Sequence, residues 1–214
     1  MLSRKKLCFA LAAAFAASSV QAAAFNAQQC AQLRQADSVV SAQWVNAGKL
    51  SSDDQAAFTG SYGKPYYIGY QMRPPENWNG KFLFQGGGGM DGFIAPAVGA
   101  TPVAGSTATP ALKRGYAVVS MDGGHQGAGD ASFGADQQAR LNLAYQSTGK
   151  VTQAAKLLIR QAYRAEPKHS YFMGCSNGGR EAMLAAMRYP TEFDGVVAGN
   201  PGFRLSRAAI AQSW

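Results

Sequence analysis

Histidine is nearly missing from this 214-residue chain, which has two, His125 and His169. Cysteine is scarce too, at three, and acidic residues number 12 against 20 basic ones. Beyond the first 22 residues there is no apolar run long enough to span a bilayer, which leaves no membrane partner to expect. The positive balance does not point to nucleic acid either. Its charges are scattered, with no basic run longer than Lys113-Arg114, whereas a nucleic-acid surface needs a clustered stripe. No metal-ligand set and no cofactor fingerprint stands out, so none is expected. With so few histidines, any histidine base in this chain must be His125 or His169.

The N-terminus accounts for part of the charge. Arg4, Lys5 and Lys6 form a basic lead, Leu7 to Ala17 an apolar stretch, and Val20-Gln21-Ala22 a small-x-small cleavage site, the pattern of an export signal over residues 1–22. The expected product is secreted or periplasmic. It carries 17 basic and 12 acidic residues, a net +5. Cys8 leaves with the signal, so Cys30 and Cys175 remain. In an oxidising compartment they could pair with each other, although Cys175 sits in a more telling place. About 190 residues suffice for one domain.

The rest alternates strand and helix. A short helix is expected around Gln29 to Ala36, followed by a poorly patterned linker and a turn cluster at Ser51-Ser52-Asp53-Asp54. Strands are expected at Tyr66 to Arg73, Lys81 to Gln85, Tyr116 to Met121, before Ser176, and at Phe193 to Ala198. Helical segments are expected to end at Arg114, to cover Asp136 to Gln146 and Val151 to Arg164, to follow Ser176, and to begin at Ser206. This order predicts an α/β fold with a mostly parallel sheet.

Two glycine-rich stretches fall at strand ends. Tyr171-Phe172-Met173-Gly174-Cys175-Ser176-Asn177-Gly178-Gly179-Arg180 reads as strand, glycine-bracketed serine, then a helix with apolar spacing at Ala182, Met183, Ala186 and Met187. That is the context of a G-x-S-x-G nucleophile elbow, with the serine on a tight turn at a helix N-terminus. An ordinary β-to-α turn in which Ser176 only caps the helix is the other reading. Upstream, Gly86-Gly87-Gly88-Gly89 follows a strand. It is either a flexible loop or a backbone able to turn N–H groups toward an oxyanion. No G-K-[ST] follows and the next residues are too broken for a helix, which excludes a Walker or Rossmann phosphate loop.

Gly174-Cys175-Ser176-Asn177-Gly178-Gly179-Arg180, followed by Arg188-Tyr189-Pro190, Phe193-Asp194-Gly195 and Ala198-Gly199-Asn200-Pro201, resembles the tannase/feruloyl esterase family of α/β-hydrolases. The Asp122-x-Gly124-His125 loop and the 86–89 loop are similar too. The resemblance implies a serine esterase of phenolic or related aromatic esters, with Ser176 as nucleophile. The oxyanion hole would combine the Asn177 N–H with that of Gly88 or, second, Gly87. It also implies a disulfide from Cys175 to a cysteine beyond residue 214, following the catalytic histidine. Residues 23–214 would be the N-terminal part of the catalytic domain, an incomplete α/β-hydrolase whose lid, often calcium-bearing, and last strands are absent.

The triad is then incomplete. No histidine follows Ser176, and the acids after it are Glu181, Glu192 and Asp194. His169 begins the strand that ends at Ser176, so about 16 Å should separate them. His125 is expected to be structural. Two outcomes follow: a fragment of a secreted esterase, or a truncated, catalytically dead remnant that at most binds.

Overall fold

A computed structural model describes residues 25–33, 39–42, 58–62, 68–100, 106–204 and 207. Export signal, the turn cluster at 51–54 and all of the helix expected from Ser206 except Arg207 lie outside the described residues. Seven strands form one sheet: β1 (Val39–Ala42), β2 (Phe58–Tyr62), β3 (Ile68–Arg73), β4 (Lys81–Gln85), β5 (Ala117–Met121), β6 (His169–Cys175) and β7 (Gly195–Gly199), in the order β1-β2-β3-β5-β4-β6-β7. From β5 through β4 and β6 to β7 every pairing is parallel. The β1–β2–β3 extension and its junction with β5 are antiparallel. The expected α/β-hydrolase sheet is therefore present, parallel where the glycine-rich turns sit.

Parallel strands buried on both faces read as continuous apolar runs because each face has its own core. Phe82 and Phe84 of β4, Ala117, Val119 and Met121 of β5, and Phe172 of β6 point one way. There they meet Val151, Ala155, Leu158 and Ile159 of α3 (Ser147–Tyr163) and Ala182 and Ala185 of α4 (Asn177–Arg188). Leu83 and Val118 point the other way, onto Ala97 and Ala111. Register pairs Phe84 with Phe172, and their rings stack 4.7 Å apart. Burying each such phenyl group is worth about 1.5–3 kcal/mol, so this pair clamps β4 to β6 directly below the glycine-rich turns.

Several elements differ from the sequence reading. Strand β1 falls in what reads as a linker and β2 in a stretch to which the sequence assigns no element, because no alternation of apolar residues marks them. The first helix, α1 (Ala27–Gln32), is a single capped turn or so, started by a capping box between Asn26 and Gln29. Its Cys30 is buried. The segment ending at Arg114 is only a 3-10 turn over Leu112–Arg114, stopped by Gly115 at φ 83°. The two expected helices after residue 136 are one rod: α2 (Gln137–Leu141), a π-turn over Asn142–Gln146, then α3.

Helix α4 also faces differently. Its buried residues are Asn177, Gly178, Gly179, Glu181, Ala182 and Ala185, while Met183 and Met187 are 42% and 66% exposed. A helix that must nearly touch the sheet at its start turns its smallest residues inward, and the long methionines are left outside.

Candidate active site

Ser176 occupies the turn between β6 and α4 with φ 57° and ψ −119°. A non-glycine residue reaches that region only when its surroundings force it, at a cost of about 1–3 kcal/mol. Here the carbonyl of Ser176 accepts from the N–H groups of Arg180 (3.0 Å) and Gly202 (2.9 Å), and its own N–H donates to Gly199 O at 3.1 Å. The side chain makes no capping hydrogen bond to the helix and is exposed. Helix capping therefore does not account for this serine.

The glycines around it are dictated by contact. A Cβ on Gly174 would lie 2.3 Å from Gly178 O, and one on Gly179 would lie 2.4 Å from Gly199 O. The 86–89 loop packs against the same turn. Gly178 donates to Gly87 O at 3.1 Å, and a Cβ on Gly178 would sit 2.6 Å from that oxygen. Strand end, loop and helix start thus meet backbone to backbone.

This contact sets which amide groups are free. The Gly87 N–H donates to Glu181 Oε2 at 3.0 Å and is committed. Gly88 faces open space, with nothing within 4 Å of where its Cβ would be, and its carbonyl closes a turn with the Asp91 N–H at 2.9 Å. Asn177 is the first residue of α4, a position whose N–H has no intrahelical acceptor. Asn177 directly follows Ser176, and Gly88 follows Gly87, whose carbonyl accepts from the Gly178 N–H.

Beneath them lies a buried polar network that the sequence reading missed. Asn177 Nδ2 donates to Asp91 Oδ1 and, at 3.2 Å, to Glu181 Oε1, while Asn177 Oδ1 accepts from Arg180 Nε at 2.7 Å. Arg180 also donates to the carbonyls of Leu143 and Ala144 in the π-turn, and the Tyr189 hydroxyl donates to Tyr145 O. Those are carbonyls that a change of helical pitch leaves in need of donors. Asp91 and Glu181 are 2% and 1% exposed. Burial pushes the Asp91 carboxyl up to about 6 and raises Glu181 well above its usual range, with the charge of Asp91 adding to the latter. A signal was available for Glu181, since the set 178, 181, 182, 185 has helical spacing. Nothing in the sequence marked Asp91.

The two histidines stand apart from this chemistry. His125 is 4% exposed, stacked on Phe133, with Nε2 at 2.7 Å from Met90 O and Nδ1 at 3.4 Å from Gln126 O. A carbonyl at Nε2 requires the proton there, which makes this nitrogen a donor and not a base. Neighbouring Asp122 is fully buried, accepts the N–H groups of Gly69 and Gly124, and is pushed up to about 6 by that burial. It anchors the loop to β3. His169 lies at the far end of β6, exposed and 4.0 Å from Asp194. Because β6 runs for seven residues, the separation from Ser176 is about 23 Å and not 16 Å, at ~3.3 Å per residue. Of the other acids, Glu192 pairs with Lys156 at 2.7 Å, and Asp194 accepts the Ser170 N–H. Cys30 and Cys175 are both free thiols, so they do not bridge each other. Among the described residues no group of three or more His, Cys, Asp or Glu could hold a metal ion.

Known proteins resemble this chain in sequence and in fold. Residues 56–214 match the family described as "Tannase and feruloyl esterase". The chain is 42% identical over 164 residues to mono(2-hydroxyethyl) terephthalate hydrolase of Piscinibacter sakaiensis, covering 73% of this chain and 27% of that protein. It is 38% identical over 131 residues to a probable feruloyl esterase B-2 of Aspergillus flavus, covering 59% of this chain and 23% of that one. The crystal structure of feruloyl esterase B from Aspergillus oryzae superposes with a TM-score of 0.71 at 26% identity, over 83% of this chain and 38% of that one. The chain thus spans about a quarter of the length of the curated relatives it matches. With that family matched across most of its length, around a strained serine between glycine-lined turns, the chain belongs to the tannase and feruloyl esterase family.

Proposed function

We propose that this chain is the N-terminal part of an exported serine carboxylic-ester hydrolase acting on aromatic or phenolic acid esters. The observation that carries the reading is Ser176, held at φ 57° and ψ −119° with an exposed side chain and no capping bond. Strain of this kind in a non-glycine residue marks sites where placement matters more than stability. Ser176 Oγ attacks the ester carbonyl, its proton passes to a base, and the carbonyl oxygen becomes an oxyanion. The N–H groups of Asn177 and Gly88 receive that oxyanion, in preference to Gly87, whose N–H is held by Glu181. The alkoxide then leaves with the proton, and water releases the acid from the acyl-serine. Relatives named for terephthalate and feruloyl esters support the aromatic acyl group.

The base must come from elsewhere. Neither histidine of the chain is available to Ser176, and the relatives are several times longer than the matched region. The missing Asp and His, and the cysteine that would pair with Cys175, belong in this reading to a later segment of a longer protein. The same absence of a base favours one alternative, a truncated remnant without esterase activity. Reading the gene past the codon for Trp214 separates the two. If the frame is open, its complete product should label at Ser176 with a fluorophosphonate, located by mass spectrometry. Ser176→Ala should abolish both labelling and hydrolysis of galloyl, feruloyl and terephthaloyl esters, and an adduct elsewhere would refute the assignment. Peptide mapping without reduction should find Cys175 disulfide-bonded to a cysteine beyond residue 214.

A further inference from the structure

We propose that Asp91 and Glu181 are positioning residues that share a single proton and so hold the two oxyanion donors, Gly88 and Asn177, in fixed relation. The proposal rests on the esterase reading above and adds to it a pair of acids that never touch substrate.

The argument is a count of donors. Arg180 has only donors, so its bond to Asn177 Oδ1 fixes the orientation of the Asn177 amide and turns the NH2 group toward the acids. One hydrogen of that group goes to Asp91 Oδ1 and the other to Glu181 Oε1. The Gly87 N–H goes to Glu181 Oε2. Three of the four carboxyl oxygens are then satisfied. The fourth, Asp91 Oδ2, is buried without a partner. It lies against Gly87 and Gly123, where added Cβ atoms would come within 2.8 Å and 3.0 Å of it. A buried oxygen left so is costly if both carboxyls are ionised. A proton held between them meets the need.

Charge gives the same result. Arg180 is the cation facing the pair, with Nη2 3.9 Å from Glu181 Oε1, and Asp122 from the β5 loop adds a further negative charge toward Asp91. His125 faces Asp122 rather than the pair. Two anions against one cation, both buried, are unfavourable, whereas one anion and one acid are balanced. The pair bears on catalysis because Glu181 holds the residue before Gly88, and Asp91 donates its N–H to Gly88 O. Asn177, which both acids grip, supplies the second oxyanion donor. Loss of the shared proton would set two like charges apart and move the glycine loop away from the helix.

The test uses the product of the complete reading frame, assayed with a p-nitrophenyl ester across pH. Glu181→Ala should lower kcat about 100-fold with KM within about threefold, the size expected when an oxyanion donor is lost or misplaced. Glu181→Gln, which can accept from Gly87 and donate to Asp91 without a titratable proton, should restore kcat to within about fivefold and remove the fall in rate at alkaline pH expected of wild type. Isotope-edited infrared spectra of wild type should show a protonated-carboxyl C=O stretch at pH 7. Activity in Ser176→Ala would overturn the esterase reading itself. With Ser176→Ala inactive, an unchanged kcat in Glu181→Ala or an alkaline fall that persists in Glu181→Gln would overturn this proposal alone. Absence of the protonated carboxyl in wild type would do the same even if the variants fail to fold.

Discussion

At the scale of single residues, strain and buried charge oppose stability near Ser176. Ser176→Gly should raise the unfolding free energy by about 1 kcal/mol, the relief of its positive φ less the roughly 0.5–1 kcal/mol entropy cost of glycine. Denaturant titration measures this, and a destabilised variant would mean that the backbone is not strained. The acid pair gives a pH dependence of definite sign. Asp91 is pushed up to about 6 in the folded state, above the ordinary value of ~3.9 for the unfolded chain. The native state therefore binds more protons through that window. Its stabilising contribution is full below pH ~4 and is lost as pH rises through about 6, further still as Glu181 ionises. Unfolding free energy should accordingly be higher at pH 5.5 than at pH 8, with a smaller difference in Glu181→Gln. Chemical denaturation at the two pH values checks it.

Among the elements, the contact of β6, α4 and the 86–89 loop decides what can be changed. Gly174→Ala would drive a Cβ to 2.3 Å from Gly178 O and should destabilise by about 3 kcal/mol, the upper range of overpacking. Gly88→Ala has open space around it and should shift stability by no more than about 0.5 kcal/mol. Thermal melts of the two variants test the contrast. Arg180 serves a different junction, between α4 and the π-turn. Its replacement by alanine leaves carbonyls and Asn177 Oδ1 without donors and should cost about 1.5–3 kcal/mol, as for hydrogen bonds to charged groups. Arg180→Lys should recover little of this, because one ammonium group cannot span three acceptors on two elements.

For the molecule as a whole, the end of the sheet matters most. Among the described residues β7 is the last strand and pairs only with β6, with Val197 61% exposed. Met187 and Phe203 are 66% and 60% exposed. An apolar strand with an open edge is a template for association. Residues 23–214 expressed alone should hydrolyse p-nitrophenyl esters no faster than their Ser176→Ala variant and should self-associate in sedimentation. Val197→Lys should reduce the association. A monodisperse, active monomer would contradict both expectations.

The α/β class, strands β3 to β7 and the tight glycine-bracketed turn at Ser176 were legible in sequence because each is a local pattern: an apolar run, or glycines at set distances from a serine. Strands β1 and β2 were not, since their pairing supplies what their side-chain pattern does not signal. Inward and outward faces of α4 were misjudged for a related reason, as close approach to the sheet favoured small residues over hydrophobic ones. Asp91 and Glu181 stand 90 residues apart in the chain, and neither belongs to any spacing that would join them. Only the tertiary structure brings them onto one asparagine, because a carboxyl group's role depends on which donors the fold has left within its reach.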